Sequence, residues 1–302
     1  MSDARFQAYI APAQGDHWGR VLAGILLIAL GWVGGTIAAT GIYAAVAAMM
    51  QGDTQAGTAA LDTLVAGGSP VGIMVLLASF LGIWGGVWLV LSGLHGRPFR
   101  TVMGPHREKS GIGGFWRGVM LGVGFAALSV SLTSALVGAP VKVMSFADWA
   151  PYALPIAVLV FFQATGEELI FRGYLLQQLA VRYRSPLIWG VLPSFIFGLM
   201  HFTGGLPGGG DYFYVAVTAI TGAALAVTVW RTGALWAAAG IHVGINCTAI
   251  LFFGTEGILS GSQIWMFPKS ELGEIFLIDL GCAAVLLAFV LSPAGRWLAP
   301  RG

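Results

Sequence analysis

Charge is what this 302-residue chain has least of: Asp, Glu, Lys and Arg make up 9% of it, against 57% hydrophobic residues. Water-soluble globular proteins carry about 25% charged residues. There is too little charge here to cover a compact body in water, which excludes a soluble protein and, with it, intrinsic disorder and a coiled coil. The net charge is only +2, and no long Lys/Arg run or basic–aromatic interleaving occurs, so no nucleic-acid partner is expected. Cysteine is nearly missing as well. Cys247 and Cys282 stand in apolar runs with no paired spacing, which excludes a CxxC motif or a disulfide framework; they read as small buried hydrophobes. There is no His-Glu-x-x-His zinc helix, and Ser194 and Ser260 lack the Gly-x-Ser-x-Gly setting of a serine nucleophile.

What the chain has is apolar length and glycine, with a mean hydropathy of +0.82 and 45 glycines. A bilayer core of about 30 Å needs roughly 20 mainly apolar residues per helix. Eight runs qualify: 21–50, 70–94, 114–138, 152–181, 186–203, 213–231, 233–254 and 274–298. The first is too long for a cleavable signal peptide and reads as a retained anchor. Cytoplasmic segments collect Lys and Arg. With the N-terminus inside, thirteen of the 15 basic residues fall on the cytoplasmic side (Arg5, Arg20, Arg97, Arg100, Arg107, Lys109, Arg117, Arg172, Arg182, Arg184, Arg231, Arg296 and Arg301), and only Lys142 and Lys269 fall outside. A missed or invented span would reverse every later loop and degrade that split. The expected fold is therefore all-α: one integral membrane domain over 1–302, a polytopic bundle of eight helices with both termini cytoplasmic. The outer loops collect acids instead: Asp53, Asp62, Asp148, Asp211, Glu256, Glu271 and Glu274.

Glycines four apart, Gly31/Gly35, Gly82/Gly86, Gly114/Gly118/Gly122 and Gly240/Gly244, share a helix face and predict close helix packing. The stretch 204–210 cannot continue a helix and reads as a flexible outer turn. A longer outer loop is expected over 254–273, with Trp265 and Phe267 at the membrane interface.

The fourth run contains Phe161-Phe162-Gln163-Ala164-Thr165-Gly166-Glu167-Glu168-Leu169-Ile170-Phe171-Arg172. An ionisable residue near a helix centre costs about 2.5–3.5 kcal/mol, so Glu167, Glu168 and Arg172 together cost up to about 10 kcal/mol before pairing. Glu168 and Arg172 are four apart with the acid first, the favourable order for an ion pair. Glu167 points about 100° away around the helix and has no cation nearby in sequence. His17, His95 and His106 fall in cytoplasmic segments, whereas His201 and His242 stand inside apolar runs; Asn246 lies one turn beyond His242 and Phe197 one turn before His201. A free carboxylate, two imidazoles and a carboxamide supply a base for water and donors for an oxyanion, the groups that peptide hydrolysis uses. Gly208-x-Gly210-Asp211 spells the Gly-x-Gly-Asp of intramembrane aspartyl proteases, but Asp211 falls in the outer turn, with Asp279 as its only candidate partner in a span.

Taken in order, Glu167-Glu168-x-x-x-Arg172, Phe197-x-x-x-His201 and His242-x-x-x-Asn246, the last preceded by Gly233-Ala234-Leu235-Trp236, resemble the CPBP family of CAAX prenyl endopeptidases and Abi, or bacteriocin-processing, proteins. The resemblance centres on a core at about 152–254. It implies an intramembrane endopeptidase acting on a membrane-associated peptide or protein, with Glu167 activating water, His201 holding that water or a metal, His242 and Asn246 stabilising the oxyanion, and Glu168 and Arg172 supporting them from behind. Zinc on Glu167, His201 and His242 and a metal-free glutamate mechanism both fit these residues, with a slight preference for zinc. The expected setting is a bacterial-type inner membrane, with the cavity opening to the cytoplasm. A transporter that uses the same buried groups as an ion or proton relay is the second reading.

Overall fold

The computed structural model describes residues 4–66, 68–104 and 108–299. His106, Arg107 and Arg301 lie outside the described residues, as does the side chain of Lys109. Among the described residues the chain is mainly helical, with one small sheet, and its apolar runs form the main helices. A short helix α1 (Ala4–Ile10) precedes α2 (Trp18–Gln51). Gly52, left-handed at φ 67°, ends α2, and the Asp53 carboxylate accepts from Gln55 N at 2.9 Å. A helix not expected from the sequence, α3 (Thr54–Ala66), follows and folds back on α2. Then come α4 (Pro70–Leu94), α5 (Glu108–Leu136), α6 (Phe146–Ala180), α7 (Leu187–Leu199), α8 (Pro207–Thr232), α9 (Trp236–Phe252) and α10 (Lys269–Leu291).

Six of these, α2, α4, α5, α6, α8 and α10, are long and apolar enough to cross a membrane; α7 and α9 are shorter apolar helices. Together they account for all eight expected runs. Helix α9 lies deep among its neighbours, with every residue from Ala237 to Gly244 buried. Such a helix meets protein more than lipid and does not need the full bilayer length.

The ends of the eight helices gather into two groups. At one end Tyr9 meets Val102 and Arg172, Leu235 N donates to Met103 O, Arg231 reaches Leu291 O and Arg117 reaches Ala299 O. At the other, Trp149 Nε1 donates to Leu251 O, Gly208 abuts Gly273, and Gly261 abuts Ser69. Successive helices of these eight alternate between the two groups. The first group carries most of the arginines and is called the basic end; the second, with Asp53, Asp148, Asp211, Glu256 and Glu271, is the acidic end.

The glycine faces do the packing expected of them. A Cβ on Gly31 or Gly35 would strike the backbone at Gly82, joining α2 to α4, and one on Gly118, Gly122, Gly240 or Gly244 would strike the backbone across the α5–α9 contact. Gly114 is looser, with ordinary contacts of 3.9–4.0 Å.

At the acidic end the expected loop 254–273 is partly a sheet. Strand β1 (Val141–Lys142) pairs antiparallel with β3 (Trp265–Phe267), which pairs parallel with β2 (Phe253–Thr255). Phe267 is 4% exposed and Trp265 stacks on Phe253 at 5.1 Å. Phe267 therefore packs inward instead of resting at the interface, because the sheet turns it onto the bundle.

Candidate active site

The two glutamates stand where α6 leaves regular α geometry; the helix widens into π-type turns over Leu169–Leu175, a distortion frequent at functional sites. Glu168 is fully buried and shared. Its Oε1 accepts from Arg172 Nη1 at 2.9 Å and lies 2.9 Å from His242 Nδ1. Arg172 is 1% exposed. Its Nε donates to Gly222 O at 3.3 Å, and its guanidinium lies over the Phe197 ring at 4.6 Å. A Cβ on Gly222 would collide with that guanidinium, so α8 contributes the absence of a side chain.

Glu167 faces elsewhere, as its position on the helix predicts. Its Oε2 is buried without a hydrogen-bond partner and lies 3.5 Å from His242 Nε2. With Nδ1 donating to the Glu168 carboxylate, a neutral His242 turns its free nitrogen toward Glu167. Asn246, one turn on, donates through Nδ2 to Gln163 Oε1 at 2.9 Å. Gln163 stands one turn before Glu167, on its face of α6. That i−4 spacing was the signal by which the sequence reading, which left Gln163 out, would have found it.

His201 lies just past the end of α7. Its Nδ1 donates to Phe197 O at 2.9 Å, leaving Nε2 as the free nitrogen, and its ring meets Tyr214 edge-on at 5.3 Å. Tyr214 comes from α8 with no local sequence signal. Glu167, His201, His242 and Asn246 all line one cavity of about 410 Å³, together with Gln163 and Tyr214. They share a chamber without all touching. Among the described residues no three His, Cys, Asp or Glu side chains gather closely enough to hold a metal ion. Glu167 and His242 face one point, but His201 does not complete the expected zinc set.

Asp279 and Ser129 also line the cavity and hydrogen-bond to each other across α10 and α5. Asp211 takes its hydrogen bonds elsewhere than from Asp279. Its carboxylate closes the 203–211 turn, accepting from the backbone N–H groups of Thr203, Gly204 and Leu206, which removes the aspartyl-protease pairing.

On the basic-end side of the glutamates, buried polar side chains bond to one another, with Arg97 Nε and Nη2 left without hydrogen-bond partners. The Tyr9 hydroxyl lies 2.9 Å from the carbonyl oxygens of both Val102 and Arg172. Gln177 Nε2 donates to the carbonyls of Tyr9 and Thr101, each at 2.9 Å, and its Oε1 accepts from Arg97 Nη1 at 3.0 Å. His95, expected in a polar loop, is buried between Asp16, 2.7 Å from Nδ1, and the Tyr174 hydroxyl, 2.9 Å from Nε2. Burial pushes the Tyr9 hydroxyl above the usual phenol value, so it stays a neutral donor. Burial also pushes the Asp16 carboxyl up, but hydrogen bonds from Gln178 and His95 and the charges of His95 and Arg97 outweigh it, and the net shift is downward. The cavity lining includes none of these residues. The N-terminal segment fills the space between these residues and the basic end.

The protein-family model described as Type II CAAX prenyl endopeptidase Rce1-like matches residues 148–248, the stretch that carries all three motifs. The Bacillus subtilis (strain 168) protein named "Uncharacterized protein YyaK" is 25% identical over 194 residues. That alignment covers 62% of this chain and 62% of the Bacillus protein. No solved structure matches.

Proposed function

We propose, taking residues 148–248 as an Rce1-like core, that the chain is an intramembrane endopeptidase hydrolysing a peptide bond of a membrane-associated peptide or protein. The observation that carries this reading is Glu167: a carboxylate oxygen with no partner, facing a cavity and an imidazole nitrogen 3.5 Å away. Glu167 takes a proton from the attacking water, and the new C–O bond puts negative charge on the carbonyl oxygen. The Asn246 N–H not committed to Gln163 donates to that oxyanion. As the C–N bond breaks, Glu167 returns the proton to the departing amine.

Glu168 fixes the His242 tautomer and ring orientation, while Arg172 holds Glu168 in place. His201, anchored through Nδ1, offers Nε2 to the water or the amine. Zinc would supply water ionisation near neutral pH, and Glu167 and His242 would be its ligands. Without His201 the set is short of the usual three protein ligands, so the steps are assigned to the chain's own groups. A bacterial-type plasma membrane fits the organism of the relative.

The test is incubation of the purified protein in bilayer discs with a library of membrane-anchored peptides. Cleavage by wild type, absent in Glu167→Gln, supports the assignment; equal turnover by the variant removes Glu167 from the mechanism. Proton flux without cleavage would favour the relay reading. Chelator-sensitive turnover restored by zinc would return the metal to the site.

A further inference from the structure

The cavity in front of Glu167 holds a second carboxylate that the hydrolytic steps do not use. Asp279 stands midway along α10, where the other cavity-lining residues, Ile275, Phe276, Cys282, Ala283 and Leu286, are all apolar. Its Oδ1 accepts from Ser129 Oγ on α5, and among the described residues Oδ2 takes no hydrogen bond, which leaves a second acceptor. Neither residue belongs to the 148–248 stretch that carries the three motifs.

Nothing in the cavity answers that charge. The lining contains no Lys or Arg, and its two acids are Glu167 and Asp279. Arg172, beside the site, is paired with Glu168. The charges of Glu167 and Asp279 both reach Tyr214, whose ring stacks on Phe276 at 4.7 Å and meets His201 edge-on at 5.3 Å. Asp279 therefore shares the field in which the reacting groups stand. A carboxylate at this depth with one hydroxyl partner and no cation is costly, and an apolar side chain would join α5 to α10 without that cost. Two acids between apolar walls focus a negative potential on whatever enters.

We infer that Asp279, steadied by Ser129, is a subsite for a cationic side chain of the substrate, so that the peptide cleaved carries a Lys or Arg near the scissile bond in an otherwise apolar stretch. The cation pairs with Asp279, and its aliphatic stem lies along the apolar lining. The inference rests on the hydrolytic reading of Glu167 for what is done to the peptide, but not for which peptide is held.

The experiment uses the full-length protein in bilayer discs and membrane-anchored peptides in which a single Lys, or Met at the same place, is walked residue by residue through an apolar segment. With wild type, Lys should raise kcat/KM over Met about tenfold or more at one or two positions. Asp279→Asn keeps the shape and the Ser129 hydrogen bond but removes the charge; it should lower kcat/KM on the favoured Lys peptide about tenfold more than on its Met counterpart, chiefly through KM. Ser129→Ala, which spares the charge, should keep the Lys preference. Equal losses on both peptides in Asp279→Asn would make the pair a packing contact and overturn the inference, as would a wild type that prefers Lys nowhere. A second measurement needs neither turnover nor a variant of Asp279. In Glu167→Gln protein a water-soluble carbodiimide, which condenses a carboxylate with an amine in contact with it, should join the peptide Lys to Asp279, read by mass spectrometry; no such link also overturns the inference. If Glu167→Gln still cleaves, or wild type cleaves no peptide, the hydrolytic reading falls and the crosslink alone decides the role of Asp279.

Discussion

Two stretches of the same helix, α6, are treated in opposite ways. Around Tyr174 and Gln177 polar groups pair within a buried plug: Gln177 bonds Tyr9, Thr101 and Arg97, and the Tyr174 hydroxyl meets His95 and Val21. Around Gln163 and Glu167 the helix turns a carboxamide and a carboxylate to a cavity, one carboxylate oxygen having no partner. An unsatisfied buried polar atom costs about 1–3 kcal/mol, more if charged. Arg97 Nε and Nη2 in the plug and Glu168 Oε2 at the boundary also lack partners, so what sets Glu167 apart is the space in front of it: it lines a cavity in which an incoming group can reach its free oxygen. Glu168 and Arg172 stand at the boundary and serve both levels.

The comparison breaks most sharply if the open group is neutralised. Glu167→Gln should reduce cleavage by about 10²–10⁴, the range for a general base, with thermal stability unchanged, checked by turnover and melting on the same preparation. Arg172→Ala attacks the boundary. It leaves Glu168 buried without its cation, a loss of about 3–5 kcal/mol, seen as reduced folded yield along with reduced activity; a fully stable variant would refute the ion-pair role. Asn246→Ala should lower kcat by about 10²–10³ with little change in KM, as for removal of one oxyanion donor. Gln163→Leu, which only releases the Asn246 amide, should lower kcat less and spare KM.

On the closed side the effects should be smaller and should concern stability alone. Tyr9→Phe should cost about 0.5–1.5 kcal/mol, the net worth of a hydrogen bond, with kcat intact. Asp16 sets the acid limb. Because its folded-state pKa is lowered, the stability it lends is complete above the ordinary carboxylate value of about 4 and is lost as pH falls through the lowered value. Asp16→Asn should therefore give a less stable protein at neutral pH with a shallower acid dependence, measured by unfolding at several pH values.

The eight apolar helices and the Glu168–Arg172 pair were legible because they are local: long apolar runs, and a four-residue spacing on one helix. The glycine faces were legible for the same reason, Gly114 excepted. What the sequence concealed depends on partners distant in the chain. Nothing near Tyr9 announces a bond to a carbonyl 163 positions away, and His95 looks like a loop residue until Asp16 and Tyr174 close on it. The small sheet hides because strands of two or three residues leave no alternation to read. The plug at the basic end hides for the same reason, because α1 and the α4–α5 connection, distant in the chain, meet α6 there.

The short helix α1 also gives the molecule a history. Tyr9 is made first; its acceptor at Val102 follows 93 residues later and the one at Arg172 163 residues later, and at about 5–20 residues per second the second is a wait of roughly 8–33 seconds. During that interval α2 and α4 can pair through their glycines, but the N-terminal segment has only part of its docking site, the Val102 carbonyl without α6. The seal behind Glu167 is thus among the later pieces to be set, and until then the nascent bundle is open at the end that the finished protein keeps shut. A bulky tag fused ahead of Ala4 should be felt at this step, as slow or incomplete maturation of a chain whose spans have already inserted.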